Sequence, residues 1–160
     1  MTNNDILRSI RYALNTDNAT MCKIFALSEY DMDESTLLER MRKEDEPGFV
    51  ECSDRLMRLF LDGLVIMRRG KREMPVTIEA MPAPAPEKLT NNDVLKKLRV
   101  AFDLKGDDVL DMVTSVGHKT TMSQVNALFR KKDHRNYVEC GDQFMRYFLK
   151  ALPAYIKPVA

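Results

Sequence analysis

Hydrophobic and polar residues follow a pattern along this chain that occurs twice, 88 residues apart. The correspondence runs without a gap from Thr2, matched by Thr90, to Leu64, matched by Leu152. Within each copy the apolar residues recur about every three to four positions, which is the period of amphipathic helices. Runs with the two-residue period of β-strands are nearly absent. The pattern therefore predicts two all-α copies of one unit.

The strongest match between the copies is a stretch over residues 49–61, which returns over residues 137–149. Its apolar positions form one stripe along a helix. In the first copy these positions are Cys52, Leu56, Met57, Phe60, Leu61, Leu64 and Val65. The other face is charged and includes Asp54 and Arg58, an acid and a base four residues apart, which suits a surface pair. We expect a fourth helix in each copy that buries this stripe.

Three shorter helices are predicted before the fourth one in each copy. The candidate N-caps of the first helices are Thr2 and Thr90, each followed three residues later by an aspartate that completes a capping box. A second apolar segment follows in each copy. The third helix is predicted to begin near Asp33 or Ser35 in the first copy and near Thr121 in the second.

Each copy spans about 63 residues, which is small for a self-sufficient hydrophobic core. We therefore predict two tandem four-helix repeats that pack as a pseudo-two-fold helical bundle, with the fourth helix of each repeat central. The expected boundaries are 1–70 for the first repeat, 71–88 for a linker rich in proline and alanine, and 89–160 for the second repeat. Such a linker is extended and semi-rigid, and it allows packing within one chain or exchange between chains.

The composition suits a globular protein, with 44% hydrophobic and 31% charged residues and a net charge of +1. The charge is divided unevenly. Residues 1–70 hold 10 Lys and Arg against 13 Asp and Glu, a net charge of −3, whereas residues 89–160 hold 12 against 8, a net charge of +4. Opposite signs favour contact between the copies or head-to-tail assembly, and drift on solvated surfaces explains them equally well.

No apolar run approaches the roughly 18 residues of a membrane helix, and the opening residues lack the features of a secretory signal. The three cysteines, Cys22, Cys52 and Cys140, have neither the number nor the spacing of a disulfide framework. We expect a cytoplasmic protein with free thiols and no membrane partner.

Catalytic and metal-binding patterns are not found in the sequence. The two histidines, His118 and His134, lack the closely spaced ligand pairs of a zinc site. No Ser-His-Asp or Cys-His arrangement recurs in both copies. We expect no metal, no cofactor and no catalytic residues, which favours a protein that is not an enzyme.

Both copies open on the same polar residues and carry an arginine near the end of the first helix. These residues are Asn3, Asn4, Asp5 and Arg11, repeated as Asn91, Asn92, Asp93 and Arg99. One interpretation is a site for a small polar ligand or an anion, since a helix N-terminus offers free N–H groups and a favourable dipole. The other is structural: the asparagines bind loop backbone, and each arginine clamps a carboxylate of the fourth helix, Glu51 or Asp54 in the first copy.

The second and third helices of the second copy also suit a helix-turn-helix pair, which binds nucleic acid through its second helix. Gly117 lies at the turn, and the third helix is predicted to end on Arg130, Lys131 and Lys132. Such cations suit a phosphate backbone. In the first copy the same region is crowded with acidic residues, so a nucleic-acid interface is predicted for the second copy alone.

Three stretches resemble the YehS-like bacterial proteins. They are Thr-Asn-Asn-Asp-Ile-Leu-Arg at residues 2–8, Asp-Glu-Pro-Gly-Phe-Val-Glu-Cys-Ser-Asp at residues 45–54, and the segment from residue 127 to residue 140. The duplication is similar too, and it covers nearly the whole chain. The resemblance implies a cytoplasmic bacterial protein of two tandem copies. The family is a domain of unknown function, so the resemblance implies no catalytic or binding residues.

From these observations we expect a non-catalytic interaction module that binds a protein or a small polar ligand, as a monomer or a homodimer. Nucleic-acid binding through the second repeat is the alternative.

Overall fold

The computed structural model describes residues 1–70 and 88–156, and within these ranges the chain forms eight α-helices and one 3-10 helix. The first repeat contains α1 (Asn3–Leu14), α2 (Asn18–Leu27), α3 (Glu34–Glu39) and α4 (Asp54–Arg69). The second contains α5 (Asn91–Ala101), α6 (Gly106–Ser115), α7 (Met122–Leu128) and α8 (Asp142–Ala151), followed by the 3-10 helix Leu152–Ala154. The prediction of two all-α repeats of four helices is confirmed. The predicted linker, apart from Lys88, lies outside the described residues.

The capping residues recognised in the sequence begin the helices of the structure. Thr2 and Thr90 form capping boxes with the aspartates three residues on, which satisfies two free N–H groups at each helix start. The side chain of Asp33 caps α3, and Thr121 caps α7 with Gln124 as its partner. The start sites predicted for these helices are confirmed.

The fourth helix of each repeat begins later than the apolar stripe predicted. Ser53 is the N-cap of α4, and its hydroxyl accepts a hydrogen bond from Leu56 N at 3.1 Å. Cys52 therefore lies in the loop before α4, where it is buried with 1% of its surface exposed. Cys140 occupies the equivalent place before α8. The helical assignment of these cysteines was wrong because an apolar residue beside a cap fits the stripe without belonging to the helix.

The two repeats pack reciprocally. In the first repeat α4 lies against α2, and in the second α8 lies against α6. The first helix of each repeat then packs on the fourth helix of the other, so that α5 lies on α4 and α1 lies on α8 and the 3-10 helix. One contiguous hydrophobic core runs through both repeats. The pseudo-two-fold bundle with central fourth helices is confirmed.

Gly63 permits the close approach of α2 and α4. A Cβ atom at this position would lie 1.9 Å from the carbonyl oxygen of Ile24, a backbone atom that cannot move independently. The second repeat has Ala151 at the equivalent position, 4% exposed in the core. The first repeat therefore has its second and fourth helices in a contact that only glycine allows.

The fourth helices differ in length. The α4 helix has 16 residues in total and ends at Arg69. In the second repeat a proline at position 153 follows α8, and the chain goes on as the 3-10 helix. No helix of the described ranges has the length and apolar character needed to cross a membrane.

Candidate functional site

The amide of Asn4 holds the loop that leads from α3 to α4. Its Nδ2 donates to the carbonyl oxygens of Arg42 at 3.1 Å and Val50 at 3.0 Å, and lies 3.5 Å from that of Glu39. Its Oδ1 accepts a hydrogen bond from Cys52 N at 2.7 Å. The residue is wholly buried. The donors and acceptor of this side chain are therefore engaged by the protein's own backbone.

Asn92 does the same in the second repeat. Its Nδ2 donates to the carbonyl oxygens of Leu128 and Val138, both at 2.9 Å, and its Oδ1 accepts from Cys140 N at 2.7 Å. The structural interpretation of the repeated asparagines is confirmed for this pair. It is also confirmed for Asn3 and Asn91, whose Nδ2 atoms donate to the carbonyl oxygens of Cys52 at 2.9 Å and Cys140 at 3.0 Å. A ligand at the starts of α1 and α5 stays a prediction that these contacts do not test.

The other asparagine of each pair belongs to a polar contact between the repeats. Asn3 Nδ2 donates to Asp54 Oδ1 at 2.9 Å, and Leu89 N donates to the second oxygen of the same carboxylate at 3.0 Å. The aspartate that begins α4 thus joins the start of its own repeat to the start of the other one.

The equivalent contact occurs at the start of α8. Asn91 Nδ2 donates to Asp142 Oδ1, and the amino group of Met1 donates to Asp142 Oδ2, each at 2.9 Å. The hydrogen bond from Asn91 and then the Met1 ammonium group lower the pKa of Asp142 below its ordinary value. These two contacts stabilise the interface of the repeats on either side of the pseudo-two-fold axis.

The repeated aspartates within the first turns complete helix caps. Asp5 Oδ2 accepts from Thr2 N at 3.0 Å, and its carboxylate also pairs with Arg8. Burial raises the pKa of Asp5, but the hydrogen bonds from Thr2 and Arg8 together outweigh it and leave the pKa lowered. Asp93 accepts from Thr90 N at 3.0 Å in the second repeat.

The prediction that each arginine clamps a carboxylate of the fourth helix was wrong. Arg11 Nη1 donates to Asn18 Oδ1 at 2.6 Å, and Arg99 Nε donates to the carbonyl oxygen of Leu104 at 3.0 Å. The Arg99 guanidinium also lies over the ring of Phe129, 4.5 Å from its centroid. The reason is distance along α1 and α5: eight residues of helix, roughly 12 Å, separate each arginine from the asparagine that touches the fourth helix.

A cleft of about 660 Å³ opens in the second repeat, between α7 and the segment that leads to α8. Three exposed cationic side chains line it: Lys119, Arg130 and Arg135. Hydroxyl and amide groups of Thr120, Ser123, Gln124 and Asn136 add hydrogen-bonding partners. None of the lining residues, all within the described part of the chain, is acidic. We call this surface the cationic cleft.

One wall of the cationic cleft is aromatic. The ring of Phe144 meets that of His118 edge-on, with the centroids 5.6 Å apart. Tyr147 stacks on the same imidazole at 4.9 Å. Tyr137 and Val138 also line the cleft, and Val138 is 51% exposed. Cations beside a partly exposed apolar wall suit a ligand that carries negative charge together with apolar surface.

The equivalent surface of the first repeat has different chemistry. Asp31 stands in place of Lys119, and Pro47 in place of Arg135. Glu39 and Arg40, which pair at 3.3 Å, replace the smaller and uncharged Ala127 and Leu128. Equivalent backbone therefore presents a cationic surface in one repeat and a mixed surface with acidic groups in the other.

The turns beside these surfaces share one backbone and differ in charge. In the first repeat, residues 43–48 form a turn in which Glu46 N donates to Lys43 O at 3.0 Å and Phe49 N donates to Glu46 O at 3.2 Å. In the second repeat, residues 131–136 repeat it, with His134 N on Lys131 O and Tyr137 N on His134 O, both at 2.9 Å. We call them the acidic turn and the basic turn.

Arg130, Lys131 and Lys132 do not extend the third helix of the second repeat. The α7 helix ends at Leu128, with Phe129 as its C-cap, so the three cations belong to the loop and the basic turn that follow. Arg130 lines the cationic cleft, whereas Lys131 and Lys132 do not. The predicted helical placement was wrong because α7 is short and Val138 N pairs with Ala127 O at its end.

The cysteines offer little nucleophilic character. Burial raises the pKa of Cys52 and of Cys140 to about 12, so both thiols stay protonated at neutral pH. Cys22 is partly exposed, and burial raises its pKa too, helped by the charge of Glu34. Within the described ranges, no three His, Cys, Asp or Glu side chains converge as metal ligands.

The sequence predicted Arg130 but missed three other cleft residues: His118, Lys119 and Arg135. The charge of each repeat as a whole does not locate them. A comparison position by position at the 88-residue offset contains the signal, because Asp31 becomes Lys119 and Pro47 becomes Arg135. Their convergence with Arg130 needs the loop geometry that Asn92 fixes.

Comparisons with known proteins give a family and a relative. A family model described as a protein of unknown function (DUF1456) matches residues 3–70 and again residues 91–156. The chain is similar to the uncharacterized protein YehS of Escherichia coli (strain K12), with 44% identity over 155 residues that cover 96% of each chain. The resemblance found in the sequence is confirmed. No solved structure matches the chain.

Proposed function

The chain belongs to the DUF1456 family of proteins of unknown function, and from this premise we propose that it is a non-catalytic interaction module that binds an acidic partner. The proposed binding surface is the cationic cleft of the second repeat. The observation that carries the proposal is the convergence of Lys119, Arg130 and Arg135 around a cleft whose lining holds no carboxylate.

The cost of placing like charges together supports a binding role. Three cations that share a cleft repel one another in the absence of a counter-charge, so a fold gains nothing from the arrangement by itself. The first repeat shows that the scaffold does not require it, since the equivalent positions carry Asp31 and Pro47 and the helices fold alike. An acidic partner supplies the missing negative charge.

Binding is favoured over catalysis by the surroundings of the groups that could react. His118 contacts the rings of Phe144 and Tyr147, and the cleft lining has no carboxylate to act with it. The buried thiols of Cys52 and Cys140 are held protonated by their raised pKa. These features suit recognition by charge and shape better than acid–base or nucleophilic chemistry.

Nucleic acid is the alternative partner. The exposed cations of the basic turn, Lys131 and Lys132, extend the positive surface beyond the cleft, as a phosphate backbone would require. An acidic protein segment is favoured because the cleft also presents the exposed side chain of Val138 and an aromatic wall.

The test is fluorescence anisotropy with two labelled probes, an oligoglutamate peptide and a short DNA duplex, at low ionic strength. We expect the full chain to bind oligoglutamate, and Arg130→Glu with Arg135→Glu to weaken that binding about tenfold, or about 1.4 kcal/mol. The matched control is Lys23→Glu with Arg55→Glu, which changes the net charge equally on exposed positions of the first repeat and leaves binding unchanged.

Two outcomes contradict the proposal. One is no binding of oligoglutamate at low ionic strength, and the other is an equal loss in the control variant. Nucleic-acid binding replaces the proposal if the duplex binds more tightly than oligoglutamate, with a steep salt dependence, and Arg130→Glu with Lys131→Glu abolishes its retention.

A further inference from the structure

The acidic turn of the first repeat carries the negative charge that is absent from the lining of the cationic cleft. Glu44, Asp45 and Glu46 are all exposed, and with Lys43 they give residues 43–48 a net charge of −2. Residues 131–136, the equivalent turn at the cleft, hold Lys131, Lys132 and Arg135 against one aspartate, a net charge of +2 with histidine neutral. One molecule thus presents equal and opposite charges on two copies of the same turn.

The acidic turn is held in one shape before any partner arrives. Glu46 Oε1 accepts from Lys43 N at 3.1 Å, and Arg42 Nη1 donates to the carbonyl oxygen of Pro47 at 2.6 Å. Gly48, with a φ of 81°, completes the turn in a conformation that favours glycine. A preformed loop loses little conformational entropy on binding, which favours its use as a docking element.

From this complementarity we propose that the acidic partner is a second copy of this chain, whose acidic turn docks in the cationic cleft. In this contact Glu44 and Asp45 of one molecule face Arg130 and Arg135 of the next. The inference rests on the proposed function, because it names the partner of the same cleft.

The contact is heterologous, because two different surfaces of the chain meet. A pair of molecules joined in this way still has one unoccupied acidic turn and one unoccupied cationic cleft, so assembly continues by addition until a ring closes or the protein becomes dilute. A single turn in one cleft lies at the small end of protein interfaces, so assembly depends on concentration. Because the charges are exposed, salt screens the contact and weakens it.

The experiment is sedimentation velocity on the full chain, with the Lys23→Glu and Arg55→Glu control and two further variants. A turn variant carries Glu44→Gln with Asp45→Asn, and a cleft variant carries Arg130→Gln with Arg135→Gln, so that neither variant acquires a reversed charge that could form a new contact. We expect the sedimentation coefficient of the unmodified chain and of the control to rise with concentration at low salt. At high salt we expect their sedimentation coefficient to fall to that of a monomer. The turn variant and the cleft variant, each measured alone, should sediment as monomers.

Mixing the two variants gives the decisive result. The turn variant keeps a cleft and the cleft variant keeps an acidic turn, so one contact can form between them and none can follow. We expect an equimolar mixture to form a dimer that does not grow further. Circular dichroism of each variant, matching the unmodified chain, shows that loss of assembly is not loss of folding.

The outcomes separate this inference from the proposed function. An unmodified chain that stays monomeric while oligoglutamate binds its cleft overturns self-assembly and leaves the proposed function intact. If the unmodified chain neither assembles nor binds oligoglutamate, both the inference and the proposed function are overturned. Assembly that survives in either variant, or a mixture of variants that forms no dimer, places the contact elsewhere and also overturns the inference.

Discussion

The two repeats of this chain share a backbone and differ where they meet solvent. Both place a buried asparagine under the loop that precedes the fourth helix, and both use the aspartate at the start of that helix to join the repeats. On this common frame, the turn of residues 43–48 is acidic and the turn of residues 131–136 is basic. These interior contacts are the same in both repeats, while the charge of the exposed turns differs. The divergent surface is where function is expected.

The largest effect on stability is expected from removing the buried asparagine that holds the loop before the fourth helix. Asn4→Ala leaves Cys52 N and the carbonyl oxygens of Arg42 and Val50 without their buried partner. We expect a loss of about 3 kcal/mol in the free energy of unfolding, because unsatisfied buried groups are costly. Urea unfolding measures it. Asn92→Ala tests the equivalence of the repeats and should cost a similar amount, whereas a loss below about 1 kcal/mol in either would contradict the shared frame.

A smaller effect separates the two interiors. Gly63→Ala forces α2 and α4 apart, because the new Cβ would meet the Ile24 carbonyl oxygen. We expect a loss of about 2 kcal/mol from overpacking, measured by urea unfolding. The matched exchange in the second repeat, Ala151→Gly, should cost about 1–2 kcal/mol, from helix propensity together with the loss of one buried methyl group. Tolerance of alanine at position 63 would show that the close contact is not required.

A single exchange sharpens the contrast between the surfaces. Lys119→Asp gives the cationic cleft the residue that the first repeat has at the equivalent position. We expect about fivefold weaker oligoglutamate binding in the anisotropy assay, or about 1 kcal/mol, from one reversed charge. The reciprocal exchange, Asp31→Lys, leaves the affinity unchanged because it lies outside the cleft. Equal effects of both exchanges would indicate that net charge alone governs binding.

The smallest effect concerns pH. Contacts with Asn91 and Met1 lower the pKa of Asp142 below its ordinary value of 3.8. The stabilisation is therefore present above that value and is lost as pH falls through the lowered pKa. We expect Asp142→Asn to reduce slightly the acid sensitivity of unfolding, as measured by urea midpoints at neutral and acidic pH. The effect is small because the carboxylate is 47% exposed. An unchanged dependence of the urea midpoint on pH in Asp142→Asn would contradict a stabilising role for this contact.

Local rules of sequence predicted most of the fold. The capping residues Thr2, Thr90 and Thr121 lie at the helix starts they suggest, because caps act within one turn of helix. The same rules placed Cys52 and the cations from Arg130 to Lys132 in helices, where the structure has loops. Those loops are set by contacts that span 46 to 48 residues, such as Asn4 with Val50 and Cys52, and local pattern does not contain them.

The candidate site was harder to predict than the fold. The asparagine pairs were recognised because duplication repeats them, and repetition also identifies what the scaffold needs. A functional surface that is present in only one repeat leaves no repeated motif. It appears instead as positions at which the two copies differ. Lys119 and Arg135 are visible in the sequence only as differences from Asp31 and Pro47, and their approach to Arg130 depends on tertiary structure.

The central claim is that the second repeat, and not the first, holds the binding surface. Its most direct test is a titration of the isotopically labelled full chain with oligoglutamate, followed by the backbone amide resonances in NMR spectra. The account predicts shifts in residues 118–124 and 130–138, with residues 30–36 of the first repeat unmoved; the acidic turn shifts only through its displacement from the cleft of a second molecule. Shifts that are equal in both repeats, or that cluster in the first, would contradict it.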